Sequence, residues 1–161
     1  LPDVIEYRRT LLSESPRESY LSDDAFSDAW IKKVREELGK IPLLVIASGL
    51  FYYFEEEKVL SLMRTMHSYG NIELVFDTVN RKGMRMMQKK WMKKVGHEDA
   101  KMFFYVDSAD ELASKIGRSV NVIAEESYYK YINKEGLKIV TKISMRVSDL
   151  MNMVKMIHLK L

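Results

Sequence analysis

Two segments near the start of the chain have apolar residues at helical spacing with charged residues between them. The first covers residues 3–13, and the second covers residues 26–38, where an apolar residue recurs at every fourth position. Gly39 follows the second segment and suits a helix C-terminal cap. The polar residues 14–24 predict a loop between two short helices.

The next part of the chain predicts a βαβ unit. Residues 41–47 are continuously apolar, which is typical of a strand buried on both faces. Residues 55–70 have the pattern of an amphipathic helix with acidic residues in its first turn. A second apolar run covers residues 72–76. A right-handed crossover makes two such strands parallel, so their carboxyl ends lie at one edge of a sheet.

These carboxyl ends predict a ligand site, because open parallel sheets bind ligands in the crevice beyond them. We therefore expect a site near residues 48–53 and 77–80. Tyr52, Tyr53 and Phe54 fall in this region. Their rings suit plain packing and the wall of an organic substrate site equally well.

Further elements are predicted in the second half of the chain. Ser108 and Glu111 form a capping box for a helix. Residues 157–161 alternate between apolar and polar, which is typical of a half-exposed strand. Residues 128–132 and 137–153 fit no single period. The other predictions are a helix over residues 84–95, an extended segment over 102–106, the end of the capped helix at Ile116, and a strand over 120–124.

The composition narrows the classes of function. The 161 residues include 26 Lys and Arg against 23 Asp and Glu, and this net charge of +3 predicts no obligatory nucleic-acid or membrane partner. The sequence has no cysteine, which excludes disulfides and thiolate chemistry and fits a cytoplasmic protein. The seven glycines are too far apart for a phosphate-binding loop, and the three histidines have no metal-ligand spacing.

Two polar features allow a structural and a functional interpretation. Asp23 and Asp24 suit a helix N-cap, which we favour on the residues alone, or an acceptor for a ligand amine. Residues 81–94 contain seven basic side chains and no acidic one. They suit the solvated face of a helix, which the balanced charge elsewhere favours, or a surface for RNA, anionic lipid or an acidic partner.

Taken in order, several segments resemble one enzyme family. Residues 1–9 (LPDVIEYRR) resemble the LPDVIxxRR segment of the leucine carboxyl methyltransferase-like superfamily. The nearest branch is the polyketide-synthesis O-methyltransferases, as in tetracenomycin biosynthesis. Four further segments are similar to family motifs: residues 26–30 to FDxxW, 44–54 to xxIAEGLLMYF, 73–77 to ELVFD, and 156–161 to the closing strand.

The resemblance implies an α/β, Rossmann-like methyltransferase fold with parallel strands and a C-terminal antiparallel hairpin. In this family a glycine-rich loop and the acid that binds the ribose precede the LPDVI segment. We therefore expect residues 1–161 to form the C-terminal portion of a single methyltransferase domain without its first strands. The strand edge left open near residues 43–47 predicts homodimerisation or edge-strand pairing.

The resemblance also implies S-adenosylmethionine as cofactor and O-methylation of a hydroxyl or carboxylate on a small organic or polyketide-like acceptor. Ser48 stands where the family usually has Glu, so it offers one hydrogen bond but no negative charge to the cofactor's ammonium group. The implied cofactor positions are Asp23, Asp24, Ala25, Phe26, Ser48, Gly49 and Leu50, and the implied acceptor positions are Tyr53, Asp77 and Asn80.

No residue is identified as a general base, and the chain without a glycine-rich loop is expected to be inactive and to bind the cofactor weakly. The alternative, from another class, is a non-catalytic α/β binding or scaffold module that uses the basic helix at residues 81–94.

Overall fold

The computed structural model describes residues 2–91 and 101–161, which divide into two compact units. The first unit ends at Ile41 and contains α1 (Pro2–Leu11) and α2 (Ala29–Leu38). The second unit begins at Pro42. Its elements in chain order are β1 (Leu43–Ala47), a 3-10 turn (Phe51–Tyr53), α3 (Glu56–Tyr69), β2 (Ile72–Val79), α4 (Arg81–Met86), a π-helical turn (Met87–Trp91), α5 (Ala109–Ile116), β3 (Asn121–Ser127), α6 (Ile139–Leu150) and β4 (Val154–Lys160).

Both predicted helices form in the first unit, but α2 begins three residues later than its apolar pattern indicates. Phe26 and Ser27 instead belong to a turn, in which both backbone N–H groups donate to Asp24, at 3.0 Å each. Gly39 ends α2 as predicted, with φ +68° and its N–H donating to the Arg35 carbonyl oxygen at 2.9 Å.

The second unit is built on a mixed four-stranded sheet in the order β1-β2-β4-β3. β1 and β2 are parallel, which confirms the predicted βαβ unit. The expectation that β1 is buried on both faces was wrong, because Leu44 is 59% and Ile46 66% exposed. β4 lies between β2 and β3 and is antiparallel to both. The mixed α/β class with parallel strands and a C-terminal antiparallel pair is therefore confirmed, although the two strands of that pair are joined through α6 rather than by a tight turn.

One strand prediction was too short. The apolar pattern ended β2 at Phe76, whereas the strand continues to Val79 because its backbone pairs with β4 as far as Val154. Asp77 therefore lies inside a strand. Residues 102–106, predicted as an extended segment, belong to no regular strand; alternate side chains are buried, and the Val106 N–H donates to the Val79 carbonyl oxygen at 2.8 Å.

Other helix predictions have mixed outcomes. Ser108 accepts a hydrogen bond from the Glu111 N–H at 3.4 Å, which confirms the capped start of α5. The helix predicted over residues 84–95 begins earlier, at Arg81, because Asn80 caps it. The end of that prediction, residues 92–95, lies outside the described residues. Residues 137–153, which had no assignment, contain α6.

Aromatic and aliphatic side chains fill the core on one face of the sheet. Phe51, Phe76 and Phe104 are buried, and the Phe51 ring meets the other two edge-on at centroid distances of 5.4 and 6.0 Å. β4 buries alternate residues, as its sequence predicted, so that Ile157 and Leu159 are fully inaccessible. Such edge-on pairs stabilise a core beyond the area they bury.

The same alternation buries a charged residue, Lys155. Its ammonium group donates to the Glu125 carboxylate and to the Asp107 carbonyl oxygen at 3.0 Å. Burial alone would raise the pKa of Glu125, but hydrogen bonds from Lys155 and from the Ala109 N–H hold it below its ordinary value. A buried charge needs such a partner, so this cluster fixes the start of α5 against β3 and β4.

None of the helices in residues 2–91 and 101–161 is long and apolar enough to cross a membrane.

Replacing Ile157 with Ala should lower the free energy of unfolding by about 2–5 kcal/mol, because the change leaves a cavity between strands that cannot collapse fully. Ile123→Ala is the matched control, since Ile123 lies on neighbouring β3 and is 47% exposed. Urea unfolding followed by circular dichroism measures both variants. Equal losses would contradict the position of Ile157 in the core.

Candidate functional site

The carboxyl ends of β1 and β2 meet around the side chain of Asp77. Ala47, the last residue of β1, pairs with Phe76, so the chain leaves β1 directly beside Asp77. Gly49 then adopts φ +64°, a left-handed conformation that glycine accepts without strain. Its N–H donates to Asp77 Oδ1 at 2.6 Å.

Tyr52 holds the other oxygen of the same carboxylate. The 3-10 turn after β1 buries the Tyr52 side chain, and its hydroxyl donates to Asp77 Oδ2 at 2.7 Å. Burial, then the hydrogen bond and negative charge of Asp77, raises the pKa of Tyr52 far above its ordinary value. Tyr52 therefore stays protonated at physiological pH and acts as a hydrogen-bond donor.

A cavity of about 600 Å³ lies beside this pair. Its volume is in the range of pockets that hold small organic ligands. The surface is mostly apolar, with polar groups from Tyr52 and Asp77 on one side and from Thr141, Ser144 and Ser148 of α6. The other contributors include Met86, Met87, Tyr128, Tyr129 and Met145.

Two tyrosines form one wall of the cavity. The rings of Tyr128 and Tyr129 meet edge-on with centroids 5.2 Å apart. Burial, with the neighbouring Tyr128 and the charge of Asp149, raises the pKa of Tyr129, so its phenol is neutral. The wall thus offers aromatic surface to a ligand without adding charge.

The three predicted acceptor residues have different surroundings. Asp77 lines the cavity, whereas Tyr53 is 47% exposed and its ring contacts Tyr52, at a centroid distance of 6.5 Å. Asn80 caps α4 by accepting from the Gly83 N–H at 2.8 Å, and its amide donates to the Met151 carbonyl oxygen at 3.1 Å. Acceptor roles for Tyr53 and Asn80 stay predictions.

The predicted adenine-binding residues form a turn in the first unit. Asp23 Oδ1 accepts from the Asp24 N–H at 2.8 Å, and the Ala25 carbonyl oxygen accepts from the Trp30 indole at 3.0 Å. Asp28, not Asp23 or Asp24, directly precedes α2, so the interpretation of this pair as the helix N-cap was wrong. A small cavity of about 230 Å³ is lined by Leu21, Asp23, Ala25 and Trp30.

The residues predicted to meet the methionine end of the cofactor lie in the second unit. Ser48 and Gly49 are exposed after β1, and Leu50 precedes the 3-10 turn. Apart from its chain neighbours, no atom lies within 4 Å of the position that a Cβ on Gly49 would occupy, so a ligand can approach its backbone from that side. The structure describes this group and the Asp23–Asp24 turn each within its own unit, and their roles stay predictions.

Sequence reasoning missed the far wall of the cavity. Tyr128, Tyr129, Met145 and Ser148 fall in the segments that had no assigned structure. One signal was present, because apolar residues in α6 recur at helical spacing. This pattern indicates the helix but not its orientation, because Ile143 and Leu150 on the apolar side are exposed.

Comparison with known proteins supports the fold. The chain matches no protein-family model, and no curated protein sequence matches it significantly. Among solved structures it is similar to a candidate methyltransferase from Thermobifida fusca YX, with a TM-score of 0.65 and 14% identity over 99% of this chain and 59% of that one. It is also similar to a DUF574 family protein from Streptomyces avermitilis MA-4680, with a TM-score of 0.64 and 13% identity over 99% of this chain and 62% of that one.

The chain thus spans about three-fifths of the length of these two structures. At such low identity the likeness concerns the fold alone. The mixed α/β sheet of this chain is similar in fold to that of the methyltransferase candidate from Thermobifida fusca YX, as the sequence resemblance implied.

Replacing Asp77 with Ala should lower the free energy of unfolding by about 1–3 kcal/mol, because the buried Tyr52 hydroxyl loses its acceptor. Asp77→Asn can still accept from Gly49 and bond to Tyr52, so its loss should be smaller. Asp110→Ala, at an exposed carboxylate, is the control. Chemical unfolding gives all three values, and an unchanged stability of Asp77→Ala would contradict the pairing described above.

Proposed function

We propose that the chain belongs to an S-adenosylmethionine-dependent O-methyltransferase and supplies the binding site for its methyl acceptor. The observation that carries the proposal is the Asp77 carboxylate, held by two donors where an apolar cavity meets the carboxyl ends of parallel strands. Open α/β sheets bind their ligands at this position. The acceptor we propose is a small, largely apolar or polyketide-like molecule with a hydroxyl or carboxylate group.

Each unit, taken by itself, has residues that suit one end of the proposed cofactor. Asp23 contributes a carboxylate to a small cavity beside the Trp30 ring, which suits an aromatic amine such as adenine. The exposed backbone at Gly49 allows the close approach that the methionine end would need. When bound, S-adenosylmethionine would supply a methyl group that is already activated by a positively charged sulfur.

The protein would then need only to position the acceptor oxygen and to exclude water from it. Asp77 has unused lone pairs after binding Gly49 and Tyr52, so it can accept a hydrogen bond from an acceptor hydroxyl. Tyr52, kept protonated, fixes that carboxylate and does not compete as a nucleophile. A carboxylate acceptor would need no general base, and we assign none.

We further propose that residues 1–161 bind the cofactor weakly by themselves and are inactive. The support is the sequence, in which no two glycines are close enough to form the phosphate-binding or cofactor loops found at helix N-termini.

A non-catalytic binding or scaffold module is the second candidate. Lys82, Arg85 and Lys89 are exposed on α4 and the turn after it, which supports a basic surface. Arg81 is instead engaged, because it pairs with Asp107 at 3.4 Å and lies over the Tyr105 ring at 5.2 Å. Residues 92–94 of the basic stretch lie outside the described residues.

Acceptor binding should depend on Asp77. We expect 2-naphthol, titrated calorimetrically, to bind the Asp77→Ala variant at least about 10-fold more weakly than the wild type, since hydrogen bonds to charged groups contribute roughly 1.5–3 kcal/mol. Naphthalene, which lacks the hydroxyl, should bind both proteins equally. Asp110→Ala is the control, and equal binding of 2-naphthol to wild type and Asp77→Ala would contradict the proposed acceptor site.

Cofactor binding is tested separately by calorimetric titration of the 161-residue chain with S-adenosylmethionine. Micromolar affinity would contradict weak binding by the chain alone. Transfer of labelled methyl from this cofactor to a phenol or carboxylic acid, by the chain or by a longer form of the protein, separates the enzyme from the scaffold module. A longer form that binds 2-naphthol but transfers no methyl group would favour the module.

A further inference from the structure

Helix α6 has two distinct faces. The inner face contributes Met145 and the buried Ser148 to the cavity. The outer face is apolar but exposed, since Ile139 is 75%, Ile143 55% and Leu150 88% accessible. A surface helix of a globular protein normally turns its apolar side to the core, so an apolar outer face indicates a contact that the described residues do not supply.

Basic residues follow one edge of this outer face. Lys138, Lys142 and Arg146 are spaced four residues apart, which places them in one row along the helix. Within residues 2–91 and 101–161, these three side chains form no ion pair. Two neighbouring lysines are neutralised in contrast, because Lys130 pairs with Glu126 and Lys134 pairs with Asp149 at 3.7 Å.

We infer that the outer face of α6 binds the surface of an anionic lipid bilayer. An apolar stripe bordered by Lys and Arg is the pattern of a helix that lies in the plane of a membrane interface, with its basic side chains reaching lipid headgroups. Tyr131, which precedes the helix and is 78% exposed, extends the surface with a residue type that favours this interface.

Charge complementarity selects the bilayer over a second copy of the chain. Pairing α6 with its own copy would place two unneutralised basic rows at one interface, whereas an anionic bilayer provides opposite charge. The net charge of +3 gave no reason to expect such a partner, because it averages this row with acidic residues elsewhere. The inference does not depend on methyl transfer.

Vesicle cosedimentation of the full chain tests the electrostatic part. The chain should bind vesicles of phosphatidylserine and phosphatidylcholine, and bind pure phosphatidylcholine vesicles much more weakly. The triple variant Lys138→Gln, Lys142→Gln, Arg146→Gln should lose roughly 100-fold in affinity, given the contribution of each basic residue near an anionic surface. The variant Lys82→Gln, Arg85→Gln, Lys89→Gln removes the same charge from α4 and its following turn, and should bind like the wild type.

The double variant Ile139→Gln with Leu150→Gln tests the apolar part and should weaken vesicle binding at least 10-fold. Its circular dichroism spectrum should be unchanged, because both side chains are exposed. The matched control is Leu11→Gln with Leu12→Gln, at exposed positions near α1. Absence of wild-type binding to anionic vesicles would overturn the inference. Equal losses of vesicle affinity in the two triple variants would also overturn it. So would a wild-type chain that does not bind vesicles but forms a dimer, if Ile139→Gln with Leu150→Gln abolishes that dimer.

Discussion

The sheet depends on β4, because this strand hydrogen-bonds to β2 on one side and to β3 on the other. Without it, the parallel pair and β3 would share no sheet. Its register also decides which side chains enter the core, since a slip of one residue would expose Ile157 and Leu159 and bury their polar neighbours. The buried Lys155 restricts the register further, because only the observed alignment brings its ammonium group to Glu125.

The candidate site depends on the same pairing. β4 extends β2 beyond Phe76, so Asp77 is held in a strand rather than in a loop. Because its backbone is fixed, the Asp77 carboxylate can accept hydrogen bonds from the Gly49 N–H at one oxygen and from the Tyr52 hydroxyl at the other. Groups positioned in this way need little reorganisation to receive a ligand, which is an advantage for a reaction that rests on orientation.

Local periodicity explains which elements the sequence predicted. The βαβ unit, the Ser108 capping box and the alternation in β4 are each encoded within a few neighbouring residues. The extension of β2 was not predictable, because it depends on a strand far away in the sequence. The orientation of α6 was not predictable either, because its apolar face points outward and its inner face is partly polar, the reverse of the usual pattern. Of the cavity lining, Asp77 was predicted as an acceptor residue, a role that stays a prediction, whereas its partner Tyr52 was left between packing and substrate contact.

The central place of β4 also has a consequence for biosynthesis. A ribosome synthesises β1, β2 and β3 before β4. The edges of β2 and β3 that pair with β4 therefore stay unpaired until β4 emerges. Pairing of strands so distant in sequence is slow to nucleate. In the nascent chain one edge of β2 therefore stays open until β4 docks, and substitutions that delay this docking would reduce the yield of protein before they reduced the stability of what had folded.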